Sequence, residues 1–158
     1  MNLVGTEQEP ERKPAQGATA SPMDRLMIWT LRSPFQRIIS GSIMLITFTG
    51  RKTGRTYTTP VSYLQEGNQV TMFTRASWWR NLQAGARVTL RVRGRDVQGF
   101  AEPCAEDRRA VVLGVVHYLQ WRPGEARFYQ VAVDPKGEPR REEVERTSQG
   151  LVMIRIKL

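Results

Sequence analysis

The segment Ile43–Leu64 reads Ile-Met-Leu-Ile-Thr-Phe-Thr-Gly-Arg-Lys-Thr-Gly-Arg-Thr-Tyr-Thr-Thr-Pro-Val-Ser-Tyr-Leu, and it decides the fold. Two runs within it, Ile43–Thr49 and Tyr57–Leu64, are rich in the β-branched and aromatic residues that favour strands. A basic loop, Gly50–Gly54, lies between them and has a glycine at each end. Two such runs joined by a short glycine-bearing loop predict a β-hairpin.

Short strands and helices continue downstream of this hairpin. Apolar residues alternate with threonine and arginine from Val88 to Arg93, which predicts a strand with one buried face and one charged face. The other predicted elements are strands at Gln69–Thr74, Asp96–Glu102 and Val152–Lys157 and helices at Trp78–Ala84, capped by Ser77, and at Asp107–Leu119. The charged stretch 122–149 contains proline and glycine, so it is predicted to be a long loop or a variable insertion.

Six strands in mostly antiparallel order, interrupted by helices, predict a small closed or split barrel. Closure removes the exposed edges that a mainly antiparallel sheet would otherwise present. A two-layer α+β sandwich is the main alternative.

The N-terminal part of the chain divides into a tail and two helices. Residues 1–20 have no apolar period, which predicts a disordered tail followed by a single domain over residues 21–158. Ser21 and Pro22 are typical of a helix start, and a second Ser-Pro pair, Ser33-Pro34, begins a short helix that Gly41 ends. The apolar stripe of the first helix consists of Met23, Leu26, Met27, Thr30 and Leu31.

The charge predicts an anionic partner. The chain has 24 Lys and Arg against 15 Asp and Glu, a net charge of +9. Between Arg51 and Arg95 there are nine basic residues and one acidic residue, Glu66. Eight of the nine are arginines, whose planar fork suits phosphate and carboxylate oxygens. Charge alone leaves nucleic acid open, but few aromatic residues lie among these arginines, so we predict no nucleic-acid partner.

Several classes of protein are disfavoured. A single cysteine, Cys104, and a single histidine, His117, do not suffice for a disulfide framework or a Cys/His metal site, and a catalytic pair of these two is disfavoured. The chain has no His-Glu-x-x-His, Gly-x-Ser-x-Gly or Gly-x-Gly-x-x-Gly motif. It also has no apolar run of roughly 18 residues and no signal-like N-terminus, which predicts a cytoplasmic protein.

The loop Gly50–Gly54 has the composition of an anion site. Two glycines allow a sharp turn that gathers backbone N–H groups, and Arg51, Lys52 and the Thr53 hydroxyl add side-chain donors. It is not a Walker A loop, because Lys52 and Thr53 precede the second glycine and a strand follows. An ordinary solvated hairpin turn is the alternative.

The combination of motifs resembles the deazaflavin-dependent nitroreductase family. The matching residues are Leu45–Gly54, then Thr58-Thr59-Pro60-Val61 and Tyr63-Leu64, then Trp78-Trp79-Arg80-Asn81-Leu82-Gln83-Ala84-Gly85. The resemblance implies a mainly β (α+β) six-stranded split barrel with flanking helices, related to FMN-binding, pyridoxamine-oxidase-like proteins. It also implies a reductase that passes a hydride from reduced coenzyme F-420, a deazaflavin, to a quinone, a nitroaromatic compound or an activated enone.

The resemblance further implies a set of coenzyme-binding residues. Arg51, Lys52 and Thr53 match the motif for the phosphate-bearing side of the coenzyme. The residues expected along the deazaflavin ring or beside the coenzyme tail are Thr59, Pro60, Val61, Phe73, Thr74, Arg75, Trp78 and Asn81. A proton for the reduced product would come from Tyr63, Tyr118 or water, and no metal is expected.

Alternatives stay open at this point. An FMN-binding oxidoreductase on the same barrel would use the basic loop equally well, and so would a non-catalytic carrier of a flavin, haem or acyl ligand. The partner is expected to be a small-molecule electron acceptor, and the protein a monomer or homodimer. The N-terminal helix is a candidate lid, a packing element or a peripheral membrane contact.

Overall fold

The computed structural model describes residues 41–158, so the predicted tail and both predicted N-terminal helices lie outside the described residues. Seven strand segments form one antiparallel sheet in the order β2-β1-β5-β6-β7-β4-β3. The strands are β1 (Ile43–Thr49), β2 (Thr56–Ser62), β3 (Leu64–Glu66), β4 (Gln69–Thr74), β5 (Ala86–Val92), β6 (Arg95–Cys104) and β7 (Val152–Lys157). The helices are α1 (Arg108–Trp121), α2 (Arg141–Ser148) and two 3-10 helices, η1 (Ser77–Leu82) and η2 (Pro123–Tyr129).

A bent strand turns this sheet into a barrel. β2 and β3 lie at opposite edges of the sheet, yet only Tyr63 separates them in the chain. Because one continuous stretch forms both edges, the sheet must curl until the edges meet. The predicted strand Tyr57–Leu64 is this bent strand, so the predicted six strands become seven segments. The six-stranded split barrel with flanking helices is confirmed.

The barrel stays open along part of its length. β3 pairs with β4 from Glu66↔Gln69 to Leu64↔Thr71. The ladder stops there, because the preceding strand β2 pairs with β1 and not with β4; the other edge of β4 pairs with β7 along its whole length. The second half of β2 therefore faces the end of β4 across an opening. Pro60 lies on this edge of β2. Proline has no backbone N–H, and at an edge its absence breaks no ladder.

The barrel interior is filled from alternate strand positions. Met44, Ile46 and Phe48 are buried on β1, and the residues between them face outward. Leu82 from η1 is completely buried and closes the end of the barrel beside the first hairpin loop. Burying each such large apolar side chain contributes about 1.5 to 3 kcal/mol. The remaining core members are Tyr63, Val70, Met72, Val88, Leu90, Ala101, Val152, Ile154 and Ile156.

A helical layer covers the outside of β4 and β7. α1 starts after Asp107, whose side chain caps the helix by accepting from the Ala110 amide at 2.9 Å. Val111, Val115 and Leu119 of α1 are completely buried in a second core. The predicted helix Asp107–Leu119 is thus confirmed, extended by two residues to Trp121.

The prediction of a loop over 122–149 is wrong, because η2 and α2 lie within it. α2 is strongly charged and buries only Val144 and Ser148, so its sequence lacks the apolar stripe that predicts a helix. Long-range arginine contacts hold it instead: Arg75 donates to the carbonyl and hydroxyl of Thr147, and Arg108 donates to the Ser148 carbonyl. Cations at a helix C-terminus also interact favourably with its dipole.

The buried Tyr118 and the half-buried Tyr129 join η2 to the barrel. The Tyr118 hydroxyl donates to Glu125 Oε2 at 2.6 Å, and the Tyr118 ring packs edge-on against Phe73 with centroids 5.6 Å apart. Burial, together with the Glu125 carboxylate, raises the pKa of Tyr118 well above its usual range. The same two causes raise the pKa of Tyr129 to about 12.

The pKa shifts predict a loss of stability in alkaline solution. Tyrosine has a reference pKa of 10.0, and a folded pKa above this value contributes stability that is fully present below pH 10 and is lost as pH rises through the folded pKa. The free energy of unfolding should therefore fall between pH values of about 10 and about 12. Tyr129→Phe removes one contributing group, so its curve from urea unfolding should fall less steeply than that of the wild type. Parallel curves would contradict the role assigned to Tyr129.

Candidate functional site

The loop Gly50–Gly54 has a defined shape. The Gly50 amide donates to the Arg55 carbonyl and the Gly54 amide to the Gly50 carbonyl, each at 2.8 Å. Gly54 has a φ of 65°, in the left-handed region that glycine adopts without strain. Thr53 Oγ1 accepts from the Arg55 amide at 3.2 Å and lies 3.1 Å from the Tyr57 hydroxyl. Residues 51–54 are exposed and Gly50 is buried, and the loop's own contacts fix its backbone.

The 3-10 helix η1 is bound to this loop through Asn81 and Arg51. Asn81 Oδ1 accepts from the Arg51 amide at 3.0 Å, while Asn81 Nδ2 donates to the Trp78 carbonyl at 2.9 Å. Arg51 Nη1 donates to Gln83 Oε1 at 2.7 Å and to the Arg80 carbonyl at 3.3 Å. The predicted site residues Arg51, Trp78 and Asn81 are thus brought together at one end of the barrel.

Stacked aromatic rings support the end of the barrel that carries the loop and η1. The Trp78 ring stacks on Phe48 with centroids 5.1 Å apart, and Phe48 stacks on Tyr57 at 5.8 Å. Tyr57 and Gln83 were not among the predicted site residues. Both residues could have been identified from the sequence. Gln83 belongs to the Trp-Trp-Arg-Asn-Leu-Gln motif, and Tyr57 lies four residues beyond Thr53.

Ser77 does not cap η1 as predicted. It is the first residue of the 3-10 helix, Ala76 occupies the N-cap position, and no side chain caps the helix. The helix also ends earlier than predicted, at Leu82, because Gln83 is extended and Ala84 and Gly85 have φ angles of 65° and 71°. Tertiary contacts of Trp78, Asn81 and Leu82, rather than capping, hold this short element.

The electrostatic character of this end is strongly positive. Exposed cationic side chains lie on the loop and on η1, namely Arg51, Lys52, Arg55 and Arg80. The segment 41–95, which builds this end of the barrel, contains a single acidic residue, Glu66. Glu66 lies on β3, which pairs with β4 and not with the hairpin. Its Oε1 lies 2.9 Å from Nε2 of His117. Within segment 41–95, the loop and η1 therefore have little competing negative charge.

The strand residues predicted to line the ring lie on the two sides of the barrel opening. Continuing the β3–β4 register would place Ser62 opposite Phe73, Val61 opposite Thr74 and Pro60 opposite Arg75. No ladder joins these pairs, so the two edges present unpaired backbone groups and half-buried side chains to the opening.

Three of the predicted residues are engaged in contacts within the protein. Thr59 is buried beside Ile46, its cross-strand neighbour, on the inner face of the barrel. Thr74 Oγ1 accepts from the Ala76 amide at 3.1 Å and so shapes the turn into η1. Arg75 follows β4 but its guanidinium is directed to Thr147 of α2.

The two candidate proton donors are buried. Tyr63 is 2 % exposed and belongs to the barrel core. Tyr118 is 1 % exposed, and its hydroxyl proton is donated to Glu125. Among residues 41–158, no three His, Cys, Asp or Glu side chains are grouped closely enough to hold a metal ion. No helix in the described part of the chain is long and apolar enough to cross a bilayer.

Several solved structures are similar to this chain. An F420-H2 dependent reductase shares 15% identity with a TM-score of 0.46, covering 73% of this chain and 94% of its own. A putative pyridoxamine 5′-phosphate oxidase from Listeria innocua shares 10% identity with a TM-score of 0.46, covering 73% of this chain and 82% of its own. A haem storage protein from Vibrio cholerae shares 12% identity with a TM-score of 0.48, covering 79% and 88%. No curated protein matches the sequence significantly.

The sequence also matches one protein-family model, that of the F420H(2)-dependent quinone reductases, where F420H(2) denotes reduced coenzyme F-420. The match extends over residues 30–141, more than half of the chain, and includes the loop, η1 and both sides of the opening. The prediction of an F-420-dependent enzyme is confirmed. This chain belongs to the F420H(2)-dependent quinone reductase family and is an F-420-dependent reductase with a small-molecule electron acceptor.

Proposed function

We propose that the loop Gly50–Gly54 and η1 bind the phosphate-bearing side of F-420, and that the opening between β2 and β4 receives its deazaflavin ring. The observation that carries this proposal is the position of Arg51, which ties the loop to η1 through its amide and its guanidinium. β2 also connects the basic loop to the barrel opening, because this strand begins just after the loop and ends at the opening.

The donors at the loop suit a phosphate. One guanidinium nitrogen of Arg51 is used by Gln83 and Arg80, which leaves the rest of its planar fork for a ligand. The Lys52 ammonium and the Arg80 guanidinium, which stacks over Trp79 at 5.0 Å, add charge nearby. Charge-assisted hydrogen bonds from such groups to phosphate oxygens are about twice as strong as neutral ones.

The opening suits a flat ring that is partly apolar. Pro60 and Val61 supply apolar surface on one side and Phe73 on the other, while the unpaired strand edges supply backbone donors and acceptors. Reduced F-420 supplies the hydride when it is bound, so the side chains are left to bind, orient and exclude water. We propose that Pro60, Val61 and Phe73 contact and orient the ring, while Thr59, buried beside Ile46, and Thr74, which accepts from the Ala76 amide, support them.

Water is the best-supported proton source for the reduced product. Tyr118 is a poor acid here, because burial and Glu125 raise its pKa and its proton is already donated. Tyr63 lies within the barrel core, away from solvent. A quinone, a nitroaromatic compound or an activated enone would accept the hydride beside the same opening.

Three finer expectations stay predictions. The assignment of the protein as a monomer or homodimer, and its cytoplasmic localisation, rest on sequence composition alone. Peripheral membrane contact through the N-terminal helix concerns residues outside the described range.

A titration should separate F-420 from the rival cofactors. The purified protein should bind F-420 more tightly than FMN and show no haem absorption band, because the chain belongs to the F420H(2)-dependent quinone reductase family. Quenching of coenzyme fluorescence measures both dissociation constants. Tight FMN binding without a response to F-420 would favour the alternative of an FMN-dependent oxidoreductase.

Changing Arg51 and Lys52 together to alanine should weaken F-420 binding by roughly a hundredfold to a thousandfold, since each lost charge-assisted contact costs about 1.5 to 3 kcal/mol. The Arg51 amide keeps its bond to Asn81, so losing the guanidinium bonds to Gln83 and the Arg80 carbonyl should lower the free energy of unfolding by only about 1 to 2 kcal/mol. Added salt should weaken the wild-type complex more than the residual binding of the variant.

The matched control is Arg93→Ala with Arg95→Ala. These arginines flank the turn between β5 and β6, and β5 separates that turn from η1 by its full length of 7 residues. The control removes the same charge at the far end of the barrel and should weaken binding much less. An equal loss in both double variants would show that overall charge, and not the loop, determines affinity.

The two glycines of the loop should differ in their sensitivity to alanine. A Cβ on Gly50 would lie 2.6 Å from Thr53 Oγ1 and 2.6 Å from Tyr57 Cε2, so Gly50→Ala must displace Thr53. A Cβ on Gly54 meets nothing within 4 Å, so Gly54→Ala costs only the strain of a left-handed backbone, about 1 kcal/mol. Gly50→Ala should therefore weaken F-420 binding more strongly in the same titration. The reverse order would mean that the position of Thr53 is unimportant.

A further inference from the structure

Tyr118 of α1 lies between the two sides of the barrel opening, at the point where the ladder ends. The last pair of the β3–β4 ladder is Leu64↔Thr71. Two residues farther on, the register would place Ser62 of β2 opposite Phe73 of β4, but no ladder joins them. The Tyr118 ring packs edge-on against Phe73 with centroids 5.6 Å apart. Hydrogen bonding from the Ser62 side chain opposes the effect of burial and lowers the pKa of Tyr118, so the two hydroxyls lie side by side.

Glu125 of η2 fixes the Tyr118 hydroxyl in this position. The hydroxyl donates to Glu125 Oε2 at 2.6 Å, a length within the range of strong hydrogen bonds to a carboxylate. The tyrosine side chain is also completely buried. Because Tyr118 is held both at its ring and at its hydroxyl, neither edge of the opening can move without breaking one of its contacts.

Helix α1 also closes the space behind the Phe73 ring. Gly114 lies four residues before Tyr118, on the same face of the helix. A Cβ at Gly114 would lie 3.3 Å from Phe73 Cζ and 2.6 Å from Met153 Sδ, so the helix backbone packs directly against the ring. Gly114 and Tyr118 together therefore hold Phe73 at a fixed place beside the opening.

These contacts serve neither the phosphate side of the coenzyme nor proton transfer. Ser62 ends β2, so about 20 Å of strand separates Tyr118 from the loop Gly50–Gly54. The Tyr118 proton is already donated to Glu125. What the contacts determine is the separation of β2 and β4 at the opening. That separation matters for a reaction between two bound molecules, because a misplacement of about 1 Å can lower a rate roughly a hundredfold.

We propose that Tyr118, held by Glu125, is a positioning residue that takes the place of the missing ladder between Ser62 and Phe73 and sets the width of the opening for the deazaflavin ring. This inference rests on the proposed function, which places the ring in that opening. Tyr118 and Glu125 then act on hydride transfer through the strands that they hold, and neither residue gains or loses a proton in the reaction.

Single-turnover reduction of a water-soluble benzoquinone by the complex of the full chain with reduced F-420 tests this role. Tyr118→Phe and Glu125→Ala should each lower the rate of hydride transfer by about tenfold, while the dissociation constant for F-420 changes far less because the loop is intact. Glu125→Gln keeps an acceptor oxygen and should recover most of the rate. The control is Glu138→Ala, which removes an exposed carboxylate that accepts from Gln120 of the same helix at 2.9 Å and should keep the wild-type rate.

A role for Tyr118 as proton donor predicts a different pattern. Glu125→Ala releases the Tyr118 proton, so a rate at or above that of the wild type in this variant, with a slow Tyr118→Phe, would assign Tyr118 to proton transfer and overturn the proposal. Wild-type rates in both variants would also overturn it, and they would leave the proposed function standing because the wild-type complex still reacts.

Amide hydrogen exchange of the full chain without coenzyme supplies a second test that does not depend on where the ring binds. Tyr118→Phe should speed exchange several-fold in segments 59–63 and 72–76, on the two sides of the opening, and leave β5 and β6 unchanged. Exchange beside the opening that equals the wild type would overturn the proposal. Faster exchange in the variant, together with a wild-type protein that does not bind F-420, would support the contacts of Tyr118 and overturn only the proposed function.

Discussion

The hydrogen bond from the Tyr63 amide to the Ser42 carbonyl, 3.1 Å long, holds the point where β2 gives way to β3. The Tyr63 side chain is buried in the barrel, so the bend is anchored by packing as well. Because the chain changes partner at this residue, β2 pairs with β1 and β3 pairs with β4. The same change that closes the barrel leaves β2 and β4 without a ladder between them beyond it, although each keeps its other partner, β1 or β7. The opening proposed to receive the deazaflavin ring is thus a consequence of how the barrel closes.

The polar end and the apolar opening are held by different interactions. At the loop, hydrogen bonds from the Arg51 amide and guanidinium join residues about thirty positions apart, and stacked rings lie beneath them. At the opening, Phe73 and Tyr118 pack together and the Tyr118 hydroxyl is fixed by Glu125. Under the proposed binding mode, a change in one region alters the binding of the phosphate side or of the ring side separately.

Much of the fold could be predicted from the sequence, because strands of this kind have local signals. Alternation located β5, a run of β-branched and aromatic residues located β1, and the helix predicted at Asp107–Leu119 corresponds to α1. The change of partner at Tyr63 was not predicted, because residues 57–64 read as one run of strand-forming residues. The pairing of distant strands reveals it, together with the burial of the adjacent Tyr63 and Leu64 in different cores. α2 also has no local signal, since its stability depends on Arg75, which lies 72 residues before its partner Thr147.

The site was predictable to the extent that its residues form a continuous motif. The loop and the Trp-Trp-Arg-Asn-Leu-Gln segment are each local, so they could be identified, but the contact between Arg51 and Gln83 could not. That contact explains why arginine is well suited to position 51. A guanidinium has five donors in a rigid plane, so one nitrogen can hold η1 while the others face an anion. A lysine ammonium has one charged centre on a flexible stem, and it would have to divide its donors between Gln83 and the ligand without a fixed orientation. Lys52, for which residues 41–158 provide no side-chain hydrogen bond or ion pair, can serve as the more mobile charge beside this fixed one.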